Sequence, residues 1–168
     1  MKSTFRMMVW GANRTRLWPS VVIAALGLLF LDNEANTRPK RFISDPITGL
    51  ALAGHDPVAY FVDGYPRRGS DEYTYQWGGA LWVFVNQGNR EAFKLAPHAY
   101  APLYAGCGGY ALSEGYATAG NPTTFAFING RLVFFHSPVN RFLYLVNVDL
   151  MATAAAENAR KTRCEPLL

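Results

Sequence analysis

The chain is short of the residues that most enzymes use for chemistry. Its 168 residues contain three histidines and two cysteines, and charged side chains make up only 17%. Cys107 and Cys164 stand alone, so no Cys-x-x-Cys pair exists to build a structural zinc site. No Gly-x-x-x-x-Gly-Lys, Gly-x-Ser-x-Gly or His-Glu-x-x-His occurs, which argues against nucleotide hydrolases, serine esterases and zinc proteases. A bilayer-spanning apolar run of about 20 residues is missing too. The longest run, Val21 to Leu31, is only eleven residues long.

The chain is instead rich in apolar and aromatic residues. Half of it is apolar and 14% is aromatic, enough for a packed core in one domain with a tail. The net charge of +4 is unevenly placed. Residues 1–42 hold seven basic and two acidic side chains, whereas residues 43–168 hold nine and ten. A body near neutrality has no broad field to attract phosphates, so nucleic acid is not an expected partner.

Lys2, Arg6, Arg14 and Arg16 precede the apolar run, the order of a secretory signal or a membrane anchor. Residues 1–31 are therefore read as that segment, and 32–44 as a polar linker. Residues 45–160 form the domain and 161–168 a flexible tail. The expected location is outside the cytoplasm, periplasmic or membrane-anchored, with the membrane met only through the N-terminal segment. The two cysteines permit one disulfide in an oxidising compartment. Cys164 lies five residues from the end, where a fraying terminus places a sulfur poorly.

Along the domain, Val58 to Val62 reads as a strand ending at Asp63-Gly64. Tyr73 to Trp77 and Leu81 to Val85 flank Gly78-Gly79 as a hairpin. Asn89 to Ala96 reads as a short helix stopped by Pro97, with Phe93 and Leu95 reaching the sheet. Pro97 to Pro102 is expected to form a tight corner. Gly106 to Gly109 is too glycine-rich for a helix, and Tyr110 to Leu112 should continue extended. Phe125 to Ile128 and Arg131 to Phe135, joined by Asn129-Gly130, form the clearest hairpin. Val139 to Arg160 is expected to be one closing helix, burying Phe142, Leu143, Val146, Leu150 and Ala154. No internal repeat is visible. The expected fold is α+β, a small antiparallel sheet with a short middle helix and a longer C-terminal helix.

Each histidine has an ordinary reading as a turn residue with one backbone hydrogen bond. Asp56, before Pro57, reads as a structural acceptor rather than a catalytic acid. Cys107 sits among glycines whose N–H groups could stabilise a thiolate.

The blocks Gly54-His55-Asp56-Pro57-Val58-Ala59-Tyr60-Phe61, Gly69-Ser70, Asn89-Arg90, Tyr100-Ala101-Pro102 and Gly130-Arg131-Leu132 together resemble the exported branch of the YHS (tyrosine-histidine-serine) domain family. The resemblance spans roughly Gly54 to Asp149. It implies a small exported domain of unassigned activity, with metal binding as a family-level expectation. The family's cysteine falls at Gly108 here, and histidines stand at positions 55 and 136 where the family has other residues. The family's metal site is thus either lost here, the favoured reading, or rebuilt from His55, Cys107 and His136, in which case it would hold a transition metal such as copper or zinc. The functional expectation is a non-catalytic module for a metal or small ligand. A thiol-dependent enzyme using Cys107 with His98 or His136, and a purely structural domain, are the alternatives.

Overall fold

The computed structural model describes residues 42–164, which lie in one compact unit. The expectations for residues 1–41 lie outside the described residues. The fold is α+β, with two separate two-stranded antiparallel sheets and a long C-terminal helix.

The body starts earlier than the polar composition of 32–44 implied. Phe42 is buried, with its ring 5.2 Å from that of Trp77 and 5.1 Å from that of Trp82. A 3-10 turn, Leu52–Gly54, leads into helix α1, Ala59–Val62. Strands β1, Ser70–Trp77, and β2, Ala80–Phe84, form the first hairpin. Helix α2, Gln87–Leu95, and helix α3, Pro97–Tyr100, follow. Then come helix α4, Gly109–Ser113, and the second hairpin, β3, Asn121–Ile128, with β4, Arg131–Phe135. Helices α5, Pro138–Val146, and α6, Val148–Thr162, close the chain.

Both hairpins stand where the Gly-Gly and Asn-Gly pairs put them. Gly78, Gly79, Asn129 and Gly130 all have φ between 49° and 78°, the two consecutive left-handed residues of a type I′ turn. Several local expectations fail. Val58 to Val62 is helical rather than extended, because Asp56 Oδ1 accepts from the backbone N–H of Val58 (2.8 Å) and Ala59 (3.3 Å) and starts a helical turn through Pro57. That cap overrides the β propensity of the side chains. The glycines likewise give way at Tyr110, since Gly108 is extended and only Gly109 enters α4. The closing helix is two helices, broken at Asn147 (φ −141°, ψ 68°). Its expected buried face points outward: Tyr144, Ala155 and Ala159 pack inward, while Phe142, Val146 and Leu150 are exposed. Leu95 does not reach the sheet either, being 88% exposed, whereas Phe93 is buried.

A repeat also emerges that the sequence conceals. β1, β2 and α2 recur as β3, β4 and α5 with every boundary displaced by 51 residues. The strand registers match pair for pair, including the irregularity after Ser70 and after Asn121. Asn86 caps α2 by accepting from Asn89 N–H, and Ser137 caps α5 by accepting from Asn140 N–H. Both helices end on a residue of the same unusual conformation, Ala96 (φ −143°, ψ 60°) and Asn147. Gly69 and Gly120 correspond as well. A Cβ at either would lie 2.5 Å from the second strand of its hairpin, which only glycine tolerates. Little sequence is shared between these copies, because what the repeat needs is a turn pair, a cap, a glycine crossing and one inward ring.

In the first copy Asp56 is the hub. Its carboxylate is fully buried. Beyond the α1 cap, its Oδ2 accepts from Val85 N–H (2.8 Å) and from Asn89 Nδ2 (2.6 Å). One side chain thus joins α1, the end of β2 and the start of α2, as the reading of Asp56 as a structural acceptor anticipated. Replacing it leaves four donors without their acceptor, and an unmet bond to a charged group costs about 1.5–3 kcal/mol. Asp56→Ala is expected to lower unfolding free energy by about 3 kcal/mol or more, measured by urea denaturation; a loss under about 1 kcal/mol would contradict the hub.

Candidate functional site

A cavity of about 160 Å³ opens between the lead-in segment, residues 43–46, and the start of the second copy. Ile43, Ser44, Asp45 and Pro46 form one side, Leu52 and Ala53 the next. Gly106, Ala119, Gly120, Pro122 and Phe134 complete it. Short backbone bonds fix these walls: Ile43 N–H donates to Ala105 O (2.8 Å) and Gly120 N–H to Gly106 O (2.8 Å). Leu52, Ala53, Ala105 and Gly106 all adopt positive φ, from 49° to 93°. Such conformations cost roughly 1–3 kcal/mol each for non-glycine residues and gather where surrounding structure enforces them.

The lining is mainly apolar. Its one carboxylate, on Asp45, is already engaged by Thr48 N–H (2.7 Å), Ile47 N–H (3.0 Å) and the Thr48 hydroxyl (3.0 Å). The Thr48 backbone bond, aided by its hydroxyl, holds the Asp45 carboxyl below the usual range. Nearby, Tyr60 donates to Pro122 O (2.9 Å), and burial raises the pKa of its phenol well above the ordinary value, so the hydroxyl stays a donor. The cavity has no local signature in the sequence, because it arises from segments about 50 to 90 residues apart.

The residues expected to bind metal are distributed by the repeat. His55 N–H donates to Leu52 O (3.1 Å) and Cys107 N–H to Tyr104 O (2.8 Å). His55 is bridged to Arg68, and Cys107 to Ala119. His55 and Cys107 are therefore matching positions in the two copies. His136 lies beside the second of them, its Nδ1 3.4 Å from Ala119 O. His55 Nδ1 donates to Leu52 O (2.9 Å). His98 is exposed, its ring edge-on to Trp77 with centroids 5.0 Å apart. Among the described residues no three His, Cys, Asp or Glu side chains are grouped to hold an ion.

Cys107 is bonded to Cys164. The terminus does not fray there: Arg163 turns left-handed (φ 61°), Cys164 N–H donates to Ala159 O (3.0 Å), and Cys164 is 3% exposed. The described part of the expected flexible tail is thus helix end and crosslink. While the bond stands, Cys107 offers no thiolate to an ion or to a substrate. Thr118 Oγ1, a neighbour of this segment, is buried and has no hydrogen-bond partner among the described residues.

No family model matches the chain, and no curated protein or solved structure matches it.

Closing a loop of 57 residues removes about 4 kcal/mol of unfolded-state entropy in the chain-entropy account. Cys164→Ser is expected to cost about 2–4 kcal/mol, and added reductant should destabilise the wild type but not the variant. Equal effects of reductant on both would contradict the crosslink. His55 sets a pH dependence of its own. Burial, with a smaller contribution from the Arg68 charge, depresses its pKa below 6.5 despite the Leu52 bond. The unfolded chain then binds more protons, so stability falls as pH drops below about 6.5 and levels off beneath the folded value. His55→Gln should flatten that acid-side decline in thermal melts between pH 7 and 5; an unchanged slope would refute the assignment.

Proposed function

We propose that the chain is an exported, disulfide-fastened domain that binds a small, mainly apolar ligand and does not turn it over. The observation that carries this reading is the cavity between the lead-in and the second copy. Its volume, about 160 Å³, compares with the roughly 150 Å³ at which an apolar protein cavity takes up benzene. Phe134, Leu52, Ile43 and the two prolines offer contact area, and the half-buried Ser44 and Asp45 in the lining favour a neutral or cationic end over an anionic one. The crosslink supports a location outside the reducing cytoplasm, in keeping with the basic-then-apolar N-terminus. It also weighs against the thiol-enzyme alternative, whose nucleophile would be the sulfur already spent on Cys164. The likeness to the exported YHS branch rests on the sequence blocks and is part of the proposal.

Benzene, phenol and benzylamine are suitable probes. Saturable binding is expected, with chemical-shift changes confined to Phe134, Leu52 and Gly106 and their neighbours, and with benzylamine preferred to benzoate. Ile43→Trp, at the rim, should weaken binding at least tenfold. Probes that fail to bind, or that perturb another face, would remove the proposal.

A further inference from the structure

The repeat provides an internal control for the outer face of α5. α2 and α5 occupy matching places, and each turns one ring fully inward, Phe93 and Tyr144. On its outer side α2 carries Gly88, Glu91 and Lys94, an ordinary solvated face. The matching positions of α5 are Val139, Phe142 and Leu145. Val139, Phe142 and Val146 are 64%, 65% and 69% exposed, and Leu143 joins them at the three- and four-residue spacing of one stripe. The architecture does not require bulky apolar side chains at Val139, Phe142 and Leu143, since α2 carries Gly88, Glu91 and Ala92 there; only Val146 has an exposed apolar counterpart, Leu95. A helix that is apolar on its outer as well as its inner face is normally covered.

We propose that this stripe rests on a bilayer surface, a second membrane contact beyond that of the N-terminal segment. Three observations favour lipid over a protein partner or a second copy. No Asp or Glu occurs between Glu114 and Asp149, so nothing in this region repels an anionic headgroup layer. Arg141, exposed beside the stripe, holds Phe125 O through Nε (2.7 Å) and keeps its remaining N–H groups for phosphate. A shallow groove between α5 and β3, lined by Phe125, Phe127, Pro138 and Leu145, extends the apolar area. The groove only continues the stripe, and reach supplies the third observation. Residues 32–41 can span at most about 35 Å, so a tail held in the membrane keeps the body within contact of it. This proposal rests on the export reading above.

The test uses the full chain, reconstituted into phosphatidylethanolamine–phosphatidylglycerol vesicles, with a specific protease site placed in residues 33–37. After cutting, the released body is expected to sediment with the vesicles. Phe142→Ser with Val146→Ser should lower the bound fraction at least tenfold without shifting the thermal midpoint, since both side chains are exposed; Val139→Ser with Phe142→Ser is a second pair should the first misfold. Leu95→Ser, on α2, should change nothing. A wild-type body that leaves the vesicles on cutting overturns this proposal alone, and one that leaves as a stable dimer assigns the stripe to a second copy. A full chain that never sediments with vesicles sinks both this proposal and the anchor reading.

Discussion

Four N–H donors converging on one buried carboxylate organise the first copy of the repeat. Asp56 sits where water cannot reach, and a carboxylate there survives only if its oxygens are satisfied. The four donors serve three structural obligations: two start α1, one ends β2, and the Asn89 amide fixes the first turn of α2. Helix, hairpin and helix therefore lock together or not at all. The aromatic core of Tyr60, Trp82, Phe84 and Phe93 fills the space this fastening defines.

The second copy solves the same problem differently. The residue matching Asp56 is Gly108, whose N–H donates to Thr118 O as that of Asp56 donates to Arg67 O. With no carboxylate there, the α4 turn is held from outside. α6 lies across it, Asn158 Nδ2 donates to Leu112 O (2.9 Å), and the Cys107–Cys164 bond ties the far end of α6 to the turn. A helix packing through Ala155 and Ala159 buries little area, so the covalent tie does what large side chains do elsewhere. One copy is fastened by a charge inside it, the other by a bond to an added helix.

The sequence made some of this legible. Gly78-Gly79 and Asn129-Gly130 announce their turns because few residues accept consecutive positive φ, and both hairpins stand where expected. Asp56 reads correctly as an acceptor because Asp-Pro has a local meaning. Val58 to Val62 misleads because one cap outweighs the propensity of four side chains. α5 misleads because it is apolar on both sides, and periodicity alone cannot say which side is inside. The repeat and the cavity are illegible for a shared reason: both are relations between distant segments whose residues differ. The pairing of the cysteines is hidden by the cap at Arg163, which turns a terminal sulfur inward.

The central claim is that the two copies have separate fasteners. Hydrogen exchange on the full chain, with the crosslink intact and then reduced, tests it most directly. Reduction should strip protection from α4 and α6 first and leave the amides of β1, β2 and α2 close to their oxidised values. Uniform loss of protection across both hairpins, or no loss in α6, would contradict it.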